Sequence, residues 1–262
     1  MLLRVEQLNV AYSGRGHVPF VAVNNISFSV DAGQSFGIVG ESGCGKTSLA
    51  KALIGLHPPS AGRIRFEDRD VVQMTGSQFK AYRRSVQMVF QDAVGSLNPR
   101  MTVQQMLAEV LHVHRMRPSE QIQQRVLELL DRVGLSSDVL HAYPREMSGG
   151  QCQRVSIARC LALEPRLIIA DEPVSALDVS VQARILNLLR TLQSELNLAV
   201  ILISHDLAVV RNICDRVAVM FQGQFVEKGV ASEVMDHPQH AYTKTLLAAV
   251  PDVGRALQKR CP

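Results

Sequence analysis

The sequence predicts an α/β protein: a largely parallel sheet covered by helices, preceded by a small antiparallel sheet and interrupted by an all-helical stretch. Three observations carry this. Apolar runs of strand length recur along the chain with helix-period segments between several of them, which is how parallel strands with crossover helices read. The early segments instead alternate apolar and polar residues and are joined by Gly-containing turns, the pattern of antiparallel strands with one buried face. The middle of the chain has no such strand runs and repeats its apolar residues at the 3.6 period of half-buried helices.

In chain order, residues 3–10, 26–30 and 64–66 supply the antiparallel part, and 35–39 begin the parallel sheet. Residues 49–56 have helical spacing, 86–90 form the next strand, and the segment from about 92 to 158 is helical. There Thr102-Val103-Gln104-Gln105 offers a capping box ahead of an apolar stripe at Met106, Val110 and Val113. Ile122, Val126, Leu129, Leu130 and Val133 line one face of a further helix, closed by Gly134. Strands follow at 167–170, 200–203 and 217–220, with a helix at 181–192. The expected organisation is one domain, with an α/β core over about 1–91 and 159–262 and a helical subdomain over about 92–158.

Composition narrows the function classes. With 262 residues, 47% hydrophobic and 20% charged, the chain has the make-up of an ordinary soluble globular protein, which excludes a disordered chain, a coiled coil or a fibre. The balance of 28 Lys+Arg against 24 Asp+Glu leaves +4, too little to imply a nucleic-acid partner. The five cysteines, Cys44, Cys152, Cys160, Cys214 and Cys261, show no C-x-x-C pair and no zinc spacing, so a reduced cytosolic interior is expected. The N-terminal residues lack a signal-peptide pattern, and the longest aliphatic run, 198–203, falls far short of the roughly 20 residues that span a bilayer.

Chemistry enters with Gly40-Glu41-Ser42-Gly43-Cys44-Gly45-Lys46-Thr47, followed by Ser48, which fits G-x-x-x-x-G-K-[ST] between a strand and a helix. Glycines let such a loop curl so that its N–H groups face phosphate oxygens. Lys46 reaches the β/γ-phosphates, the Thr47 hydroxyl ligates Mg²⁺, and the helix N-terminus adds its positive dipole end. Leu167-Ile168-Ile169-Ala170-Asp171-Glu172 is an apolar run ending in two acids. Asp171 at the strand tip suits a Mg²⁺ held through water, and Glu172 suits a general base for the attacking water. Together these motifs indicate a Mg²⁺-dependent nucleoside triphosphatase. Met147-Ser148-Gly149-Gly150-Gln151 stands before a helix and makes a second anion cradle, or more simply an N-cap turn. Two cradles in one site suggest that the second serves a partner's nucleotide.

At this point the chain resembles the ATP-binding subunit of an ABC transporter, a P-loop NTPase cassette with a RecA-like core. That family's signature peptide is usually Leu-Ser-Gly-Gly-Gln, and Met147 replaces the leading Leu here. The resemblance extends over essentially the whole chain and implies further roles. Gln91 resembles the Q-loop glutamine that senses Mg²⁺ and the attacking water. Ser175-Ala176-Leu177-Asp178 resembles the D-loop that crosses the dimer interface, and His205 the switch histidine at the γ-phosphate. Tyr12 resembles the aromatic residue that stacks on adenine, with Phe20 as a competitor. The family's mechanism implies a head-to-tail dimer that closes on ATP and opens after hydrolysis. It further implies a second ATPase subunit (a paralogue, with a homodimer as the other option), two membrane permease subunits and, indirectly, a substrate-binding protein. The expected place is peripheral, on the cytoplasmic face of the inner membrane.

Residues 90–103, 171–182 and 237–251 are similar to the importers of dipeptides, oligopeptides and nickel. The short tail, with Cys261 alone and so no cysteine cluster for iron–sulfur, favours the nickel or metal-chelate importers. His112, His114, His237 and His240 are expected to be solvated or structural, and Cys44 to be a small loop residue rather than an oxidisable thiol. The competing class is a non-transport ABC ATPase of DNA repair or translation. Such proteins usually carry a coiled-coil insertion or a tandem second cassette, and neither is present.

Overall fold

Five consecutive buried residues make β3 (Ser35–Val39) the centre of the larger sheet in the computed structural model, which describes residues 1–12 and 20–249. Before it, β1 (Leu3–Tyr12) and β2 (Phe20–Val30) pair antiparallel. After it come α1 (Lys46–Leu53), β4 (Ala61–Phe66), β5 (Arg69–Asp70), α2 (Gly76–Ser85) and β6 (Val86–Val89). The helical stretch holds α3 (Ala93–Ser96), α4 (Val103–Val113), α5 (Ile122–Arg132) and α6 (Gly149–Leu161). The chain then runs through β7 (Leu167–Asp171), α7 (Val179–Leu196), β8 (Ala199–Ser204), α8 (Leu207–Ile213), β9 (Arg216–Phe221), β10 (Gln224–Val230), α9 (Ala231–Asp236) and α10 (Ala241–Ala248).

The strands form two sheets, ordered β2-β1-β4-β5 and β10-β9-β3-β8-β7-β6. The first is antiparallel; the second is parallel apart from β10. Continuous apolar runs such as 199–203 arise because both faces of the parallel sheet are covered. Alternation divides each strand between two cores: Ile168, Ala170, Val200 and Leu202 join the helices α4 to α7 on one face, whereas Ile169, Ile201 and Ile203 meet α1 and the antiparallel sheet on the other. Register aligns the carboxyl ends. Val39 lies beside Ser204, Asp171 beside Ile203 and Val89 beside Ala170, so the residues that follow these strands emerge at one edge, where open α/β sheets bind ligands.

In the helical stretch the capping box forms, with Gln105 N–H donating to Thr102 Oγ1 at 3.3 Å and Thr102 N–H to Gln105 Oε1 at 2.9 Å. The expected stripe is rotated, however. Val103, Met106, Leu107 and Leu111 are buried, while Val110 is half-buried and Val113 is 65% exposed. The i, i+4, i+8 row on 103, 107 and 111 faces α5 and α6, and apolar residues alone do not tell which row wins. The α5 face is buried as expected at Val126, Leu129, Leu130 and Val133, and Gly134 closes it at φ 65°. No helix among the described residues is long and apolar enough to cross a membrane.

Candidate functional site

The phosphate loop leaves β3 and returns as α1, whose first residue is Lys46. Gly45, the N-cap, sits at φ 110°, and a Cβ there would approach Ala22 O to 2.1 Å, so only glycine fits. Lys46 is 5% exposed, and its ammonium donates to Gly40 O and Glu41 O, both at 2.7 Å. It thus occupies the mouth of its own loop. Glu41, Ser42, Gly43 and Thr47 are exposed, and the first N–H groups of α1 have no partner within the helix. Cys44 is buried and lies 3.7 Å from Lys46 Nζ. Burial pushes its thiol up, outweighing the Lys46 charge that pulls it down, so the thiolate is disfavoured and the side chain serves as packing.

Beside this loop stand the two acids at the end of β7. Asp171 is 3% exposed, and its Oδ1 is buried without a hydrogen-bond partner. Burial pushes its carboxyl up, opposed by the nearby Thr47 hydroxyl. A buried, unpartnered carboxylate oxygen next to a hydroxyl is a hard-oxygen donor pair that fits Mg²⁺, whose remaining positions water and phosphate normally take. No group of three His, Cys, Asp or Glu among the described residues could hold a metal ion alone.

Glu172 has φ 45°, a strained value for a non-glycine residue, and its N–H donates to Ile203 O at 2.9 Å. The turn brings its carboxylate between two other strand ends. Gln91 Nε2 donates to Glu172 Oε2 at 3.2 Å, and His205 Nδ1 lies 3.2 Å from the same oxygen. Ser175 Oγ is 3.5 Å from Gln91 Nε2, closing the group from the far side of the turn. Residues separated by 81 and 33 positions thereby meet on one atom.

Ser148, Gly149, Gly150 and Gln151 form the start of α6, where Gln151 N–H donates to Ser148 Oγ and Ser148 N–H to Gln151 Oε1. The N-cap reading of these residues is therefore realised. They share no hydrogen bond with the phosphate loop; Gly149 instead lines a pocket of about 330 Å³ with Gln91, Ser175 and Leu177. Asp178 takes the N-cap position of α7 but makes no side-chain cap bond, leaving its carboxylate free at the surface. The turn before it is held by Gln182 Nε2, which donates to Val174 O and Leu177 O.

Tyr12 and Phe20 face each other across β1 and β2, at 37% and 65% exposure. Tyr12 is the one tied to the site. Its hydroxyl donates to Ser48 Oγ at 3.2 Å and its ring stacks on His57 at 4.5 Å. His57 has no motif to mark it and is found only through this contact. Two further contacts carry no sequence signal: Glu41 N–H donates to the Tyr242 hydroxyl at 3.2 Å, and His240 Nδ1 accepts from Tyr242 N–H. The latter gives His240 the structural role expected of it. Cys44, Cys152, Cys160 and Cys214 are unpaired and buried, while Cys261 and the last residues of the 237–251 stretch lie outside the described residues.

Comparison with known proteins adds four findings. A family model described as ABC transporter matches residues 23–175. The oligopeptide transport ATP-binding protein OppF of Salmonella typhimurium is 48% identical over 231 residues, 88% of this chain and 69% of that protein. The dipeptide transport ATP-binding protein DppF of Lactococcus lactis subsp. cremoris is 46% identical over 253 residues, 95% of this chain and 81% of that one. Among solved structures, the dimeric post-hydrolysis state of an ATP-binding cassette bound to ADP and Pi superposes with TM-score 0.79 at 27% identity, covering 88% of this chain and 99% of that one.

Proposed function

The chain belongs to the ABC transporter family, and from that premise we propose that it is the ATP-binding, ATP-hydrolysing subunit that energises an importer of di- or oligopeptides. The observation that carries the hydrolytic reading is the Glu172 carboxylate, approached at 3.2 Å by both Gln91 and His205 beside the buried acid Asp171. A carboxylate oriented by two neighbours and set by a strained turn is preorganised to accept a proton from water.

Each residue then has a task. Lys46 exchanges the carbonyls of Gly40 and Glu41 for phosphate oxygens, and the N–H groups of residues 43–48 cradle them. Thr47 and Asp171, with Gln91 from the end of β6, would hold Mg²⁺, which when bound would neutralise phosphate charge. Glu172 takes the proton of the attacking water, Gln91 and His205 orient that carboxylate, Gln91 senses the water, His205 meets the γ-phosphate, and Tyr12 stacks on adenine. Ser148 to Gln151 face the nucleotide of a second ATPase subunit, with Asp178 at the shared interface. The division into a core and a helical part over about 92–158 suits this arrangement, since α6 then carries the second cradle at its own N-terminus. The partners in this reading are a paralogous or identical ATPase and two permease subunits, served by a substrate-binding protein. The chain sits peripherally on the cytoplasmic face of the membrane.

Relatives named for oligopeptide and dipeptide transport, at identities near one half, support the peptide alternative over nickel. Co-purification from solubilised membranes tests the transport reading: a two-subunit permease retained with this chain is expected, and its consistent absence would turn the assignment toward a non-transport ATPase. Growth of a deletion strain separates the cargoes. Failure on peptide-only medium is expected, and failure confined to nickel-limited medium would reject peptides.

A further inference from the structure

We propose that Tyr242 is a positioning residue for the phosphate loop: through its hydroxyl, α10 holds the Gly40–Glu41 peptide in the orientation that nucleotide binding requires. The two ends of that peptide unit have different partners. Its carbonyl, Gly40 O, accepts from Lys46 Nζ at 2.7 Å, and its N–H, on Glu41, donates to the Tyr242 hydroxyl at 3.2 Å. Because a peptide unit is planar, fixing either end sets the direction of the other.

The tyrosine is itself firmly placed. Its ring packs against Phe221 at 4.3 Å, and Phe221 ends β9, the strand paired with β3 from which the loop departs. The start of α10 is anchored to β10, where Glu227 Oε1 accepts from Gln239 N–H at 2.8 Å and Oε2 from His240 N–H at 3.0 Å. His240 then caps the helix by accepting from Tyr242 N–H. The His237-Pro238-Gln239-His240-Ala241-Tyr242 run, whose motif otherwise has no role in the site, thus builds a bracket from β10 to the loop mouth.

The bracket matters when Lys46 leaves. As the ammonium is drawn to phosphate charge, the Gly40 carbonyl loses that partner, and the Tyr242 contact remains to keep the peptide from turning. Without it the loop samples orientations that do not receive phosphate, and the cost falls on nucleotide affinity. This rests on the ATP-binding reading above.

Titration of the full chain with a fluorescent trinitrophenyl-ATP in the presence of Mg²⁺ tests it. Tyr242→Phe keeps the ring against Phe221 and removes only the hydroxyl. It is expected to weaken binding about fivefold, a change of the size of one net hydrogen bond, with at most a small drop in melting temperature. Tyr242→Ala should bind at least as weakly and melt lower. Thr245→Ala, on the same helix and bonded only within it, should bind as the wild type does. Wild-type affinity in Tyr242→Phe overturns the proposal, even if Tyr242→Ala binds weakly, because the ring alone would then account for the effect. Absence of binding by the wild-type chain would instead overturn the ATP reading, and this proposal with it.

Discussion

In the proposed function Glu172 concentrates the chemistry on one oxygen, and its substitution should separate binding from hydrolysis. Glu172→Gln keeps the size and the contacts of the side chain but accepts no proton. ATP affinity should be retained while turnover falls by about 10²–10⁴, read by nucleotide titration and phosphate release; undiminished turnover would remove Glu172 as the base. Lys46→Ala acts earlier and should abolish measurable nucleotide affinity, since the loop then offers its dipoles without a charge. Asp171 gives a pH signature. Burial raises its carboxyl above the ordinary value of 3.8, so the folded state holds that proton more tightly than the unfolded chain. Its contribution to stability is therefore present below the ordinary value and is lost as pH rises through the raised one, which leaves a penalty at neutral pH. Asp171→Asn removes that penalty and should raise the melting temperature of the nucleotide-free protein at pH 7 while eliminating the Mg²⁺ dependence of ATP binding. A variant that melts lower than the wild type in the absence of nucleotide would contradict this account of the site.

Among the elements, the loop between β3 and α1 tolerates least. Gly45→Ala would place a Cβ against Ala22 O at a φ of 110°, so expression of folded protein with lost nucleotide binding is the expected result of even this small change. The helix α5 responds differently, through packing alone. Leu129 is fully buried in the core shared by the helices α4 to α7, and Leu129→Ala should cost about 2–5 kcal/mol in urea denaturation. The rotated face of α4 shows why such elements are only partly legible beforehand. Apolar residues occur on two adjacent rows of that helix, and the choice between them belongs to α5 and α6, not to the helix itself.

Considered whole, the molecule places the phosphate loop at the sheet edge and the Ser-Gly-Gly turn at the N-terminus of α6, with no hydrogen bond between them. In the proposed function a second ATPase completes each site, and this can be tested by mass. Glu172→Gln with Mg-ATP should accordingly run at twice the monomer mass in size-exclusion chromatography, alone or with the paralogous subunit, and Ser148→Arg in the same background should prevent it. A monomer under every pairing would reject the shared site.

What could be read without coordinates was whatever a run of neighbouring residues accomplishes by itself. The phosphate loop, the acids after an apolar strand, the Ser-Gly-Gly turn and the capping box at Thr102 are local, because backbone N–H groups and short side chains act within a few residues of one another. The family resemblance then extended the reading to Gln91 and His205. Tertiary structure alone decided that these two meet Glu172 on a single oxygen, that Tyr12 leans on His57, and that Tyr242 reaches Glu41 across 201 residues. Those meetings follow from the order and register of parallel strands, which side-by-side hydrogen bonding and two buried faces select together, and which no single segment encodes.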